Sequence, residues 1–316
     1  SLRVCVVGDL IVDEYITCEP LGMSQEDPTI VVTPVDTTRF IGGAGIVAAH
    51  AAGLGAKVNF ITVVGNDSSH TFAENKLSEF GVISSLIEDD GRPTTVKQRF
   101  RSKGKTLLRV SHLHQSTISP SFQSIFLKNV KSIIDKVDLL VFSDFNYGCL
   151  PQGLVDQIFT LAKVNNVMLA ADSQSSSQIG DISRFNNMDL ITPTEREARV
   201  STRNKEDGLV VLVEQLRQQS SAENILLKMG EDGVLIHANN SNGDNSWLTD
   251  RIGVLNSNPR DVAGAGDSML ISCALTMARG GTIWEAALIG SLAAAIQVGR
   301  VGNTPLQSKE LLKELN

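Results

Sequence analysis

The chain has 316 residues, 42% hydrophobic and 20% charged, a balance that excludes a disordered or collagen-like polymer and suits an α/β domain. Its 28 basic and 35 acidic residues give a formal net charge of −7, which argues against a general nucleic-acid binder but leaves room for a small anion held by a local basic cluster. No apolar run reaches the ~18 residues of a membrane span, and Cys5, Cys18, Cys149 and Cys273 show neither CxxC nor metal-ligand spacing, so a reduced, cytoplasmic protein with no membrane partner is expected.

The first apolar run, residues 3–7, ends at Gly8-Asp9 and is predicted as a buried strand. Residues 14–40 hold little helical periodicity but carry the β-branched run 29–33. A helix of small residues is predicted over 45–54 and stopped by Gly55; a strand over 57–63 and a helix over 70–80, stopped by Gly81, follow. Residues 93–112 read as two strands around a tight turn at 102–105. Alternation there puts Lys97, Arg99 and Arg101 on one face and Val96, Gln98 and Phe100 on the other. Further strands are predicted over 139–143, 167–172, 190–192, 224–228 and 233–237, and further helices over 120–135, 152–165, 205–219, 265–279 and 283–298. Residues 239–246 read as the polar loop of an expected hairpin. Alternating strands and helices, with apolar strands, imply a mostly parallel sheet covered on both faces. Residues 14–40 and 93–112 stand apart from it as one small sheet, a candidate lid on a single domain spanning 1–316.

The sharpest motif is Asp261-Val-Ala-Gly-Ala-Gly-Asp267, just before a strong helical pattern. Small residues let backbone N–H groups approach a ligand, and a helix N-terminus offers unpaired N–H groups and a positive dipole end, a place for phosphoryl charge. Asp267, in the first turn, could accept a proton from an attacking hydroxyl; the plainer alternative is an N-cap aspartate. Residues 92–109 hold Arg92, Lys97, Arg99, Arg101, Lys103, Lys105 and Arg109 and no acid, which suits a phosphate clamp or a charge-protected edge strand. Thr194 and Glu197 have capping-box spacing. Gly43-x-Gly45 imitates a dinucleotide fingerprint and would suggest a nicotinamide enzyme, but it does not follow the first strand. No serine sits in a Gly-x-Ser-x-Gly setting, and the five histidines form no catalytic pattern.

These motifs, in this order, resemble the ribokinase-like (PfkB) carbohydrate kinases, and within them the kinase domain of bacterial heptose-7-phosphate kinases. The match rests on Gly8-Asp9 with Asp13, Ser24-Gln-Glu-Asp-Pro28, Gly42-Gly43-Ala44, Gly53-Leu-Gly-Ala56, Leu140-Val-Phe-Ser-Asp-Phe-Asn-Tyr-Gly148, Thr192-Pro193 with Glu197, Gly230 with Gly233, the 261–267 motif, and Val298-Gly-Arg-Val-Gly302. The resemblance implies a three-layer α/β/α fold with a β lid and an ATP-dependent kinase. It implies Asp267 as catalytic base and an anion hole at Ala263, Gly264, Ala265 and Gly266. On the sugar side it implies Asp13, Gly42, Gly43, Lys97, Arg99 and Asp144. The ATP side would be Thr194, Glu195, Arg196, Glu197, Lys228, Gly230 and Gly233, with Mg²⁺ reached from Glu197 through water. The implied acceptor is D-glycero-D-manno-heptose 7-phosphate, phosphorylated at C1, and the implied assembly is a homodimer through the lid. Three positions depart from the family pattern: Ile46 and Thr194 stand where asparagine is usual, and Gln174 where heptose kinases have lysine. Lys228 opens a stretch that resembles the nucleotide loop, which usually begins with threonine, and Ser291 stands where asparagine is frequent. Ile46, Thr194 and Gln174 admit another sugar, or a non-catalytic sugar- or nucleotide-binding relative.

Overall fold

Val4 and Val6 pack into one apolar cluster and Cys5 and Val7 into another, and all four are fully buried. The first strand is therefore covered on both faces, as a continuous apolar run requires. In the computed structural model, which describes residues 1–175, 179–239 and 247–315, the strands are β1 (Arg3–Gly8), β2 (Leu10–Met23), β3 (Ile30–Gly43), β4 (Lys57–Val64), β5 (Ile83–Glu88), β6 (Val96–Ser102), β7 (Lys105–His112), β8 (Leu139–Asp144), β9 (Met168–Ser173), β10 (Leu190–Ile191), β11 (Asn224–Lys228), β12 (Val234–Asn239) and β13 (Trp247–Ile252). The helices are α1 (Ala44–Gly53), α2 (Ser68–Glu79), α3 (Pro120–Lys131), α4 (Gln152–Val164), α5 (Glu195–Thr202), α6 (Leu209–Ser220), α7 (Ala265–Ala278), α8 (Ile283–Val298) and α9 (Ser308–Leu315).

The larger sheet has the order β13-β12-β11-β10-β9-β8-β1-β4-β5, parallel from β11 to β5 and antiparallel where β12 and β13 are added. One face packs on α3, α4 and α6, and the other on α1, α2, α7 and α8. The smaller sheet has the order β3-β2-β6-β7. It grows from the carboxyl end of β1, because β2 begins at Leu10 and β3 returns to Gly43, where α1 starts. The edge where ligands bind in open parallel sheets is thus the edge that the smaller sheet overhangs.

Two predicted helices move a boundary by about a full turn. The 120–135 pattern ends its α-helix at Lys131 and finishes in a short turn. The 205–219 pattern starts late, at Leu209, because the Asn204 side chain accepts the N–H groups of Glu206 and Asp207 and holds a turn there. The turn between β6 and β7 forms at Lys103 and Gly104, both left-handed, as a two-residue hairpin requires. Of the polar loop expected over 239–246, residues 240–246 lie outside the described residues. All four cysteines are buried and none forms a disulfide. Burial pushes the Cys5 and Cys273 thiols up to about 12, which makes them poor nucleophiles at neutral pH.

Candidate active site

A cavity of about 970 Å³ runs along the carboxyl edge of the larger sheet, from the underside of the smaller sheet to α8. Most of the residues singled out from sequence line it: Asp13, Gly43, Lys97, Arg99, Thr194, Glu197, Lys228, Gly230, Gly233 and the stretch 263–267.

Its centre is the N-terminus of α7. Gly264 is the N-cap residue and is left-handed, with φ at 77°, and a Cβ there would collide with the Asn303 side chain. Asp261 shapes the preceding turn by accepting the N–H groups of Ala263 (3.1 Å) and Gly302 (3.1 Å) and the Tyr15 hydroxyl (2.6 Å). Burial alone would raise its pKa, but these three bonds outweigh burial and hold it below the usual carboxylate range. Asp267 follows in the first turn, 6% exposed, and accepts a bond from Gln174 Nε2 at 2.9 Å. Burial, reinforced by the charge of Asp172, pushes the Asp267 carboxyl up to about 7, with Lys228 and Lys97 opposing. A base poised near neutral pH suits proton abstraction from a hydroxyl.

On the side of the smaller sheet, Asp13 is held between Arg99 Nη2 on one oxygen (3.4 Å) and Asn303 Nδ2 on the other (3.2 Å). Burial raises the Asp13 pKa against the opposing charges of Arg99 and Lys97. Lys97 lies over the rings of Phe145 and Tyr147, 5.2 Å from each centroid. The alternation read from sequence holds: Gln98, on the opposite face, bonds Glu14 instead. On the other side, Thr194 and Glu197 form the expected capping box, with Thr194 N–H donating to Glu197 Oε2 (2.7 Å) and Glu197 N–H to the Thr194 hydroxyl (3.2 Å). The far end of the cavity is apolar, walled by Val254, Leu255, Val262, Ala294, Ala295 and Val298. Val254, Leu255 and Val262 are exposed, as the walls of a slot for a flat ring would be.

Several residues expected in the site lie elsewhere. Asp144, implied as a sugar ligand, does not line the cavity: it is 2% exposed and accepts bonds from Arg184 Nη2 (2.8 Å) and the Ser173 hydroxyl (2.8 Å), because a buried carboxylate at the end of β8 needs its own cation. Glu195 and Arg196 face an adjoining cleft on the outer side of α5, since capping directs Thr194 and Glu197 inward and the next helical positions outward. Gly42 stands behind Asp13, whose carboxylate fills the space a side chain would take. Ile46 is fully buried in the core beneath α1, so its apolar side chain takes no hydrogen bond from the cavity wall. Sequence reasoning missed Asn303 and Tyr15. Each acts on a residue far along the chain, and no local pattern marks them.

The sequence pattern of the pfkB family carbohydrate kinases matches residues 1–309. The Bifunctional protein HldE of Desulfatibacillum aliphaticivorans is 30% identical over 319 residues, covering all of this chain and 63% of that protein. HldE of Helicobacter hepaticus is 29% identical over 325 residues, covering all of this chain and 64% of that protein. The chain therefore spans less than two thirds of the length of these relatives. Among solved structures, Escherichia coli phosphofructokinase-2 in complex with potassium superposes with a TM-score of 0.79 at 15% identity, over 99% of this chain and 98% of the other. Arabidopsis thaliana ribokinase complexed with ribose and ATP gives 0.75 at 18% identity, over 100% and 99%. These structural likenesses establish the ribokinase-like fold, and no helix among the described residues is long and apolar enough to cross a membrane. The family pattern, carried across nearly the whole length, settles the wider question: the chain belongs to the pfkB family of carbohydrate kinases and is a sugar kinase.

Proposed function

We propose that the chain transfers the γ-phosphoryl group of ATP to the 1-hydroxyl of D-glycero-D-manno-heptose 7-phosphate. The observation that carries this reading is the placement of Asp267, a buried carboxyl raised to about 7 in the first turn of α7, between the cationic underside of the smaller sheet and the nucleotide-side loops. Asp267 takes the proton from the acceptor hydroxyl as its oxygen attacks the γ-phosphorus. The bond from that phosphorus to the β–γ bridging oxygen breaks, and ADP leaves. The N–H groups at the start of α7 face the transferring oxygens. The base lies in the apolar slot, and the loop 230–233 follows the triphosphate. The choice of heptose is supported by the resemblance to heptose-7-phosphate kinase domains and by the identity with the HldE proteins.

Kinases of this family use ATP with a divalent metal. Among the described residues no group of three His, Cys, Asp or Glu side chains forms a metal site. Both Glu197 oxygens already accept backbone N–H groups, from Ser175 and Thr194, which leaves each a lone pair for water. That donor set fits Mg²⁺ that keeps its waters and is bound chiefly by phosphates. When bound, the metal would offset charge on the β- and γ-phosphates.

Lys97 and Arg99 form the acceptor-phosphate side of the cavity in this reading. Lys97→Ala is expected to raise the KM for heptose 7-phosphate by about tenfold or more, and that for an unphosphorylated heptose by less than about twofold. Steady-state kinetics on both acceptors checks this, and equal effects would remove the phosphate clamp.

The smaller sheet also supplies the proposed homodimer contact. Leu21, Met23, Ile30, Val35 and Leu108 are all more than half exposed on it, an apolar surface that suits a protein interface. Sedimentation velocity is expected to give twice the chain mass for the wild type and the single-chain mass for Val35→Asp/Leu108→Asp. A wild type that sediments as one chain would refute the dimer.

A further inference from the structure

Asp144, Asn146 and Ser173 are built around one another, and the transfer chemistry described above uses none of them. Asp144 Oδ2 accepts Arg184 Nη2 and the Ser173 hydroxyl, each at 2.8 Å, while Oδ1 accepts the Asn146 N–H at 3.1 Å. Asn146 is left-handed, with φ at 61°, a conformation that asparagine tolerates better than most side chains. Its amide crosses to the end of β9, where Nδ2 donates to the Ser173 hydroxyl oxygen (3.4 Å) and to the Gln174 carbonyl (3.1 Å). The Gln174 N–H in turn donates to the Asp144 carbonyl at 2.8 Å. Both backbone polar groups of Gln174 are therefore held, just past the last paired residues of β8 and β9. The side chain mounted on this brace lines the cavity and reaches the base: Gln174 Nε2 lies 2.9 Å from Asp267 Oδ1.

An aspartate carboxylate turns about its side-chain torsions, and a base that turns loses its line to the proton. A hydrogen bond from a donor whose own backbone is fixed removes that freedom, as the third group of a catalytic triad does for its base. We infer that Gln174 is a positioning residue that fixes the Asp267 carboxylate through Oδ1 and leaves Oδ2 to take the proton of the acceptor hydroxyl. The inference rests on the kinase reading above and deepens it. Gln174 gives a hydrogen bond and no proton. The amide also holds the carboxylate without adding to the charges that face it, which are Asp172 on β9, Lys228 on β11, Asp13 on β2 and Lys97 on β6. A donor to the ionised form favours that form, so removing the amide makes the base harder to ionise, and replacing it by a cation makes it easier.

The test is the pH profile of kcat, with both KM values, for the wild type, Gln174→Met and Gln174→Lys. The assay holds ATP, Mg²⁺ and D-glycero-D-manno-heptose 7-phosphate, or the sugar that the wild type prefers to it. Gln174→Met keeps the length of the side chain and removes the donor. It is expected to lower kcat by about tenfold, to leave both KM values within about threefold, and to move the acid limb to higher pH. Gln174→Lys, the residue that heptose kinases carry here, keeps a donor and adds a charge. Its kcat is expected to stay within about threefold of the wild type, and its acid limb to move to lower pH. A packing role alone would not send the two limbs in opposite directions. A Gln174→Met variant whose kcat stays within about twofold, or whose acid limb stays at the wild-type pH, would overturn the assignment of Gln174 alone. Where Gln174→Met does not fold, Gln174→Lys carries the test, and an unmoved limb there would overturn it as well. A wild type that turns over no sugar would overturn the transfer reading and this inference with it.

Discussion

Replacing Asp267 by asparagine is expected to lower kcat by about 10³-fold, while ATP affinity changes by less than about threefold. The side chain keeps its size and its neighbour Gln174, so the cavity keeps its shape; only the ability to take a proton is lost. The pH dependence carries the same signature. With the Asp267 carboxyl raised to about 7, the protonated form dominates below that pH and cannot act as a base. Wild-type kcat/KM should therefore rise with pH through about 7, and the asparagine variant should lose that limb. A loss of under about tenfold, or a limb that survives the substitution, would move the base elsewhere.

The second large effect concerns stability. Asp9, 3% exposed, follows β1, and its carboxylate accepts the N–H groups of Phe145 (2.8 Å), Tyr147 (3.4 Å) and Cys149 (3.2 Å). It thereby ties the end of β1 to the loop after β8, the loop that brings Phe145 and Tyr147 against Lys97. Burial first, then the charge of Asp144, push its carboxyl up to about 6, against the three backbone bonds. Asp9→Ala leaves three donors without a partner in a buried place, at about 1–3 kcal/mol each and not strictly additive. A total loss of about 3 kcal/mol or more is expected in urea unfolding, with an unchanged m-value. Asp9→Asn should lose less, because one oxygen remains, but its NH₂ must then face a backbone N–H. A loss below about 1 kcal/mol for Asp9→Ala would show that water takes over these bonds.

How much of this was legible in the sequence depends on the range of the interactions. The buried strands β1, β4 and β8 announce themselves as apolar runs, and α8 has the bounds its pattern gives, because in each case burial is written in consecutive residues. The strand β5 and the last helix α9 have no counterpart among the predicted elements, and β13 has one only as the far arm of the hairpin expected around residues 239–246. β5 and β13 lie at the two edges of the larger sheet, where apolar demand is weakest. The smaller sheet was recognised as a unit, but not the length of β2 and β3, whose pairing continues through irregularities near Cys18 and Pro20. In the site, the 261–267 motif and the basic strand β6 could be read locally. The bond from Asn303 to Asp13 joins residues 290 positions apart, and the Lys228–Asp172 pair joins the carboxyl ends of β11 and β9 across β10; neither leaves a spacing to find. Asp144 shows the converse. Its motif pointed to the sugar, and only the fold reveals that Arg184 already claims it.

The most direct test is ATP consumption with Mg²⁺ over a panel of phosphorylated and free sugars, wild type beside Asp267→Asn. Turnover with D-glycero-D-manno-heptose 7-phosphate that exceeds turnover with every other sugar and disappears in the variant is the expected result. Turnover of another sugar in preference would contradict the assigned acceptor, and turnover that persists in Asp267→Asn would contradict the assigned base.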